Sequence, residues 1–356
     1  MNLERPDLSE VTPEIRAYIE ALEVKLAQTQ VSTKTKRAPD YDDSEASTDE
    51  FTEPPTTLNV ITVSAGGIIK RTPRHLYTRQ RRGGMGVFDL DVPEQDPPTL
   101  LAVADQNNTL VVFTNQGRTY RLPVSTLPES IVRARGVALS KHLPLRPDEH
   151  IVALLPEDGG SQVALVGERG WVNVIRASFV GSSLIPGTMY HDAKKHGPLA
   201  AACWANSDED LFIATKQGLA IRFAVKRVPP SGCLGIRLDK SDVAIAIAAV
   251  DEGSGLSRSS SVFLLSTEGK GSIRLMSGFR ANKSPGGGGK QAIKAEELAG
   301  AVAVDESDDL FVISRHSKII RFQAKEIPPK TGTVQGVNCV ALRGDEATAC
   351  TSSGME

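Results

Sequence analysis

"LFIATKQGLAIRF", residues 211–223, and "LFVISRHSKIIRF", residues 310–322, are near copies of one another. Each is an apolar run rich in strand-forming residues that meets a turn at Gly218 or Ser317, then resumes with alternating apolar positions and one arginine. That is the pattern of a β-hairpin. Four more copies surround them: "ITVSAGGIIKR" from Ile61, "LVVFTNQGRTYRL" from Leu110, "VALVGERGWVNVI" from Val163 and "VFLLSTEGKGSIRL" from Val262. With Gly67, Gly117, Gly170, Gly218, Gly271 and Ser317 as turn markers, the spacings are 50, 53, 48, 53 and 46 residues.

A second feature follows every hairpin. Gly84, Gly136, Gly187, Gly235, Gly288 and Gly336 stand 17, 19, 17, 17, 17 and 19 residues beyond the markers, each before another extended stretch. Proline pairs recur as well, in "RFAVKRVPPSG" from Arg222 and "RFQAKEIPPKTG" from Arg321. The body is therefore six units of about 50 residues, each with about four strands. A lone four-stranded sheet cannot bury both faces, and radial stacking of six such sheets does so; the fold class expected is all-β and propeller-like. The WD40 and kelch signatures are absent.

The flanks differ from this body. Residues 1–58 hold 6 Lys/Arg and 13 Asp/Glu, a net of 6 − 13 = −7, and residues 59–356 hold 35 and 30, a net of +5. Thr12, Pro13 and Glu14 form a helix start, and Ile15, Ile19, Leu22 and Leu26 then place one apolar stripe on a short helix over about 13–28, within an N-terminal segment 1–38. Residues 39–58 read as an acidic, disordered linker, a tether or a competitor for phosphate-binding surface, and 59–356 as the repeat domain. No run approaches the ~18 apolar residues of a membrane span, and no signal-peptide core opens the chain, so a cytoplasmic protein is expected. Cys203, Cys233, Cys339 and Cys350 form no CxxC pair and read as buried small residues.

Basic residues gather in the first unit. From Asn59 to Phe88 stand Lys70, Arg71, Arg74, Arg79, Arg81 and Arg82 and no acid, and "TRQRRGGMGVF", 78–88, adds three glycines to three arginines. In later units bases follow the turn at Arg118 and Arg121, Arg176, Arg222, Arg274, and Lys318 and Arg321. Repetition would set them at similar heights around a disc, as a belt of phosphate contacts able to offset the cost of bending a duplex. No base-reading helix-turn-helix or finger is visible, so recognition would be by shape, largely independent of sequence.

These six units resemble the C-terminal domain of the DNA gyrase A protein, and "QRRGGMG", Gln80 to Gly86, resembles that family's signature box at six of seven positions. Met85 stands where the family has a basic residue. The resemblance covers about 59–350 and implies a six-bladed β-pinwheel whose blades exchange strands with their neighbours and whose basic rim wraps duplex DNA. It assigns Gln80, Arg81, Arg82, Gly83, Gly84, Met85 and Gly86 to the DNA-binding box. The partners it implies are double-stranded DNA and a component of gyrase or topoisomerase IV, with a nucleoid-associated location and no cofactor. Only 58 residues precede the first hairpin, and neither Tyr18 nor Tyr41 has the setting of the family's catalytic tyrosine. The expectation is a free-standing, non-enzymatic DNA-bending pinwheel; the alternative is a protein-interaction scaffold that has lost wrapping.

Two further motifs read more plainly. "KSPGGGGK", 283–290, departs from a nucleotide-binding P-loop at Ser284 and Gln291, and falls at the box position of unit five, where Lys283 and Lys290 are candidate phosphate contacts on a flexible loop. "HDAKKH", 191–196, brings no third metal ligand and reads as a solvated loop.

Overall fold

A computed structural model describes residues 53–157, 159–251 and 260–353. The stripe of 13–28 and the acidic stretch up to residue 52 lie outside the described residues. In the repeat region the six units form six four-stranded sheets. The first is ordered Pro98–Asp105, Leu58–Ser64, Ile68–Pro73, Val137–Ala138. Its middle pair is the hairpin read from the sequence, the strand on one side returns from the same unit, and the short strand on the other belongs to the next unit. This exchange repeats around the ring. Thr188–Met189 completes blade two, and Val87–Phe88 of unit one completes blade six beside Lys318–Gln323. The segment carrying the arginine-glycine run is thus the strap that closes the circle.

Turn chemistry explains the regular hairpins. Gly67, Gly117, Gly170 and Gly218 have φ of +85°, +77°, +81° and +78°, the left-handed residue that ends a three-residue hairpin loop. In unit five this place belongs to Gly269, φ +77°, and not to Gly271, which lies within the strand Lys270–Leu275. Corrected so, the spacings become 50, 53, 48, 51 and 48, closer to a constant period. Ser317 holds the same conformation at φ +60° without being glycine. The glycine before the exchanged strand is likewise Gly86 in unit one, Gly232 in unit four and Gly289 in unit five, two residues beyond, three before and one beyond the sequence markers. A Cβ on Gly86, φ +67°, would lie 2.6 Å from the Ile319 carbonyl oxygen. Strap and blade approach too closely there for any side chain.

The core is divided among the blade interfaces. Val60 packs with Phe311, Ile313 and Ile319 of blade six, whereas its neighbour Ile61 packs with Leu110, Val112 and Tyr120 of blade two. Both faces of each hairpin are covered, so the strands read as short continuous apolar runs. Fully burying side chains such as these contributes about 1.5–3 kcal/mol each. The returning strands converge on the axis and carry small residues, as in "LAAACWA", 199–205, and "AIAIAAV", 244–250, around a central cavity of about 1380 Å³. The single α-helix among the described residues is one turn, Ala193–His196, and none is long and apolar enough to cross a membrane.

Candidate nucleic-acid interface

The arginine four residues past the turn does not face solvent. Arg321 is buried: it pairs with Asp309 and Glu53, and donates to the carbonyls of Arg74 and Tyr77, each at 3.2 Å, in the next unit round the ring. Arg222 does the same in blade four, pairing with Asp210 at 2.7 Å and donating to the carbonyls of Met276 and Phe279 of unit five. Arg121 pairs with Glu157 and donates to the Val180 carbonyl of unit three at 3.1 Å. Arg71 pairs with Glu129 at 3.4 Å and reaches the Val124 carbonyl of unit two. In each case the acceptor belongs to the short 3-10 turn after the neighbouring hairpin or to the residue that ends it. These four arginines stitch one blade to the next. Each is paired with an acid, and removing the acid from the buried Arg222 or Arg321 would strand its charge in a low-dielectric interior.

Other members of the expected belt are also inside. Lys70 is buried against Asp89 at 2.5 Å, and Asp89 also accepts from Tyr77 Oη and Thr62 Oγ1. Burial pulls the Lys70 ammonium below the usual lysine range, with Asp89 opposing it, and pushes the Tyr77 phenol well above its usual value. Arg274 is buried, donates to the Gly278 carbonyl, and is held below the usual arginine value by burial. Arg74 pairs with Glu53, Arg79 with Asp309 at 2.9 Å, and Arg118 with Glu149 at 3.1 Å. Burial works against ionising Glu53, but hydrogen bonds from Arg74 and Arg321 outweigh it and hold the carboxyl below its usual range. The residue expected in the linker is thus a wedge at the seam between blades six and one. Of the belt named from sequence, Arg176, Lys283 and Lys290 are exposed and Lys318 is half-buried. Much of the correction has one cause: most bases within the hairpin strands lie between two blades, where Lys70, Arg71, Arg118, Arg121, Arg222 and Arg321 each meet an acid, whereas Arg176 ends its strand in solvent.

The box is built mainly for closure. Gln80 N donates to the Arg321 carbonyl, and Gln80 Oε1 accepts from Gly86 N at 3.2 Å, folding the loop over itself. Gly83 N donates to the Cys339 carbonyl, and the Gly84 carbonyl accepts from Ala341 N. Arg82 N donates to the Glu326 carboxylate at 2.8 Å, and its guanidinium to the carbonyls of Glu326 and Asn338. Arg81 and Met85 are left at the exposed tip, and the Arg81 side chain makes no hydrogen bond or ion pair among the described residues.

Exposed cations do occupy the circumference, on or beside the connecting segments of units one, two, four, five and six. Besides Arg81 and Arg82 these are Arg133 and Arg135 in unit two, Lys226, Arg227 and Arg237 in unit four, Arg280, Lys283 and Lys290 in unit five, and Lys325 and Lys330 in unit six. Arg135 pairs with Asp91 across open solvent, a contact of little strength. Sequence reading followed the base nearest the turn and passed over most of these, because their offsets from the turn vary from unit to unit. The glycine run is not a free loop: Gly287–Gly288 pairs in parallel with Ile236–Arg237, and a strand, Lys290–Gln291, follows it instead of a helix. His191 is buried with Nε2 on the Gly197 carbonyl, and His196 stacks on Trp171 at 3.8 Å, so both rings are packing groups and not parts of a solvated loop. The four cysteines are free thiols; burial pushes Cys339 and Cys350 up to about 12.

Comparison with known proteins agrees with this geometry. The family described as DNA gyrase C-terminal domain, beta-propeller, matches residues 58–96, 108–156, 209–250 and 308–348. Those stretches lie in units one, two, four and six, the units that carry the cross-blade arginine; Val174 and Ile273 take its place in units three and five. The DNA gyrase A protein of Mycobacterium bovis (strain BCG / Pasteur 1173P2) is 26% identical over 314 residues, 83% of this chain and 36% of that protein. The DNA gyrase A protein of Chlamydia pneumoniae is 29% identical over 305 residues, 81% of this chain and 36% of that protein. The chain thus spans about a third of the length of these relatives. A solved structure of a DNA gyrase A C-terminal domain superposes with a TM-score of 0.69 at 18% identity, covering 83% of this chain and 99% of that one.

Proposed function

Because its repeats belong to the DNA gyrase C-terminal domain, beta-propeller, family, we propose that this chain is a non-enzymatic module that binds duplex DNA along the circumference of its disc and bends it. The observation that carries this reading is the distribution of unneutralised cations. Arg81, Arg133, Lys226, Arg227, Lys283, Lys325 and Lys330 stand exposed on the outermost loops of five of the six units, their side chains with no partner among the described residues. A ring of separated cations suits a phosphate backbone drawn round a curve, since each contact releases counterions and offsets part of the bending cost. The box then acts as clasp and contact together: Gln80 and the glycines shape the loop, and Arg81, with the outer face of Arg82, meets phosphate. In this reading the module serves a type IIA topoisomerase or the nucleoid of the cytoplasm.

The test is topological. Relaxed plasmid is incubated with the protein, treated with a relaxing topoisomerase, stripped of protein and resolved for linking number. A shift proportional to protein added supports bending along a chiral path. Failure to bind duplex at about 50 mM salt would end the proposal, since phosphate contacts are strongest there. A second reading, a protein-interaction scaffold, is favoured by one observation: the loop of unit three, Ala177–Tyr190, carries no charged residue and exposes Phe179, Ile185 and Met189. Binding to duplex with no shift in linking number would reduce the proposal to DNA adhesion, and failure to bind would turn the balance toward the scaffold.

A further inference from the structure

We infer that the uncharged loop of unit three is an apolar wedge, with Ile185 entering between base steps of the bound duplex and kinking it. This rests on the reading of the circumference as a DNA surface. Ile185 is 76% exposed, more than any other large hydrophobic residue described. It stands on the loop leading to the outermost strand of a blade, Thr188–Met189, as Arg81 stands on the corresponding loop of unit one and Lys283 on that of unit five. Pro186 follows it, also exposed. The tip is held from beneath: Leu184 is buried and its N donates to the Gly181 carbonyl at 3.0 Å. The Ile185 carbonyl accepts from Thr188 N at 3.1 Å and Thr188 Oγ1 at 2.7 Å, and Gly187 N is tied to the Thr119 carbonyl.

The surroundings suit a duplex. A wedge needs a stiff apolar point, no acid facing the phosphates, and cations on both sides to draw the backbone down. Ala177–Tyr190 supplies the first two, and Arg133 with Arg135 of unit two and Lys226 with Arg227 of unit four stand on the loops before and after. Isoleucine and proline are among the residues that open base steps toward the major groove and bend the helix. Ile131, 71% exposed on the unit-two loop, offers the same chemistry one blade earlier. Unit three therefore contributes to bending by deforming DNA where its siblings contribute charge.

A wedge prefers DNA that is already easy to unstack, and that preference gives the test. Two duplexes are made alike except that one carries two adjacent mismatches beside a 2-aminopurine. The full chain is expected to bind the mismatched duplex about tenfold more tightly and to raise the 2-aminopurine fluorescence. Ile185→Ala should lower the preference below about twofold, and Ile185→Leu should keep it. A wild-type preference below twofold, or one that survives in the Ile131→Ala/Ile185→Ala double variant, overturns the wedge. So does self-association in sedimentation that Ile185→Ala abolishes, which would make the tip a protein contact. Binding to intact duplex without preference removes the wedge alone, whereas failure to bind either duplex removes the DNA reading itself.

Discussion

The connecting loops of units one and three have the same scaffold and opposite surfaces. Both reach a positive-φ glycine, Gly86 or Gly187, and then pair as two-residue strands with the preceding blade. The next residue hydrogen-bonds through N to the carbonyl of the hairpin-turn residue, Asp89 to Ser317 and Tyr190 to Gly117. Beyond that they part. Unit one carries arginines at its tip and buries Asp89 against Lys70, Tyr77 and Thr62, while unit three carries isoleucine at its tip and packs Tyr190 on Phe179. Backbone contacts fix the strap, and the tip is free to take whatever chemistry the circumference requires. Stability and binding therefore reside in different residues of one short segment.

The largest effect should come from breaking the buried side of that contrast. Asp89→Ala leaves the Lys70 ammonium and two hydroxyls without their acceptor, and should cost about 3–5 kcal/mol in urea unfolding. Tyr190→Phe, which removes one exposed hydrogen bond at the matching place, should cost under about 1 kcal/mol. Next are the glycines. Gly86→Ala meets a backbone carbonyl that cannot move without opening the ring, and should cost about 2–4 kcal/mol. In Gly187→Ala the obstacle is the tip of the Arg118 guanidinium, which can swing aside, so the cost should stay near about 1 kcal/mol. Equal losses in thermal and urea unfolding would show that the seam is not special.

Acidification should weaken the side of the ring near unit three. Burial holds His191 below the usual 6.5, and its Nδ1 is buried without a hydrogen-bond partner while Nε2 holds the Gly197 carbonyl. The unfolded chain takes up the proton first as pH falls through 6.5. The stabilisation is thus complete above that pH and lost below it, down to the lowered folded value. The melting temperature should drop more between neutral and mildly acidic pH in the wild type than in His191→Gln.

Smaller effects test the proposed DNA surface. Arg81→Ala should leave stability within about 0.5 kcal/mol and reduce the slope of log affinity against log salt by about 0.9, one phosphate contact. Arg222→Ala should do the reverse, with stability lost and the salt slope unchanged in the folded protein. Met85→Lys should give the smallest change, steepening the slope by up to about 0.9 with unfolding unaltered. A variant at position 85 that binds no better would place the tip of the box off the DNA path.

Much of the scaffold could be read directly. "DLFIAT" and "DLFVIS" announce their hairpins, and the glycine offsets announce six units, because turn conformation and strand pattern are local properties. The same stretches held a signal that went unread. Asp210 and Asp309 open their hairpins 12 residues before Arg222 and Arg321, and an acid and a base placed diagonally across a hairpin mark a pair, not a ligand for phosphate. Lys70 and Asp89 gave no such sign, since their meeting depends on how the strap of unit one returns over blade one.

The sequence by itself determined an all-β chain of six repeated hairpins with a densely basic connection in the first, since turns, strand pattern and composition act over a few residues. Tertiary structure decided which cations are available. Arg222 and Arg321 in their hairpin strands are enclosed by the next blade and paired with an acid there, while Arg81, Arg133 and Lys283 on connecting loops stay in water. It also decided that the basic connection is the clasp of the ring, because that role depends on blade six arriving beside blade one, more than 200 residues later in the chain.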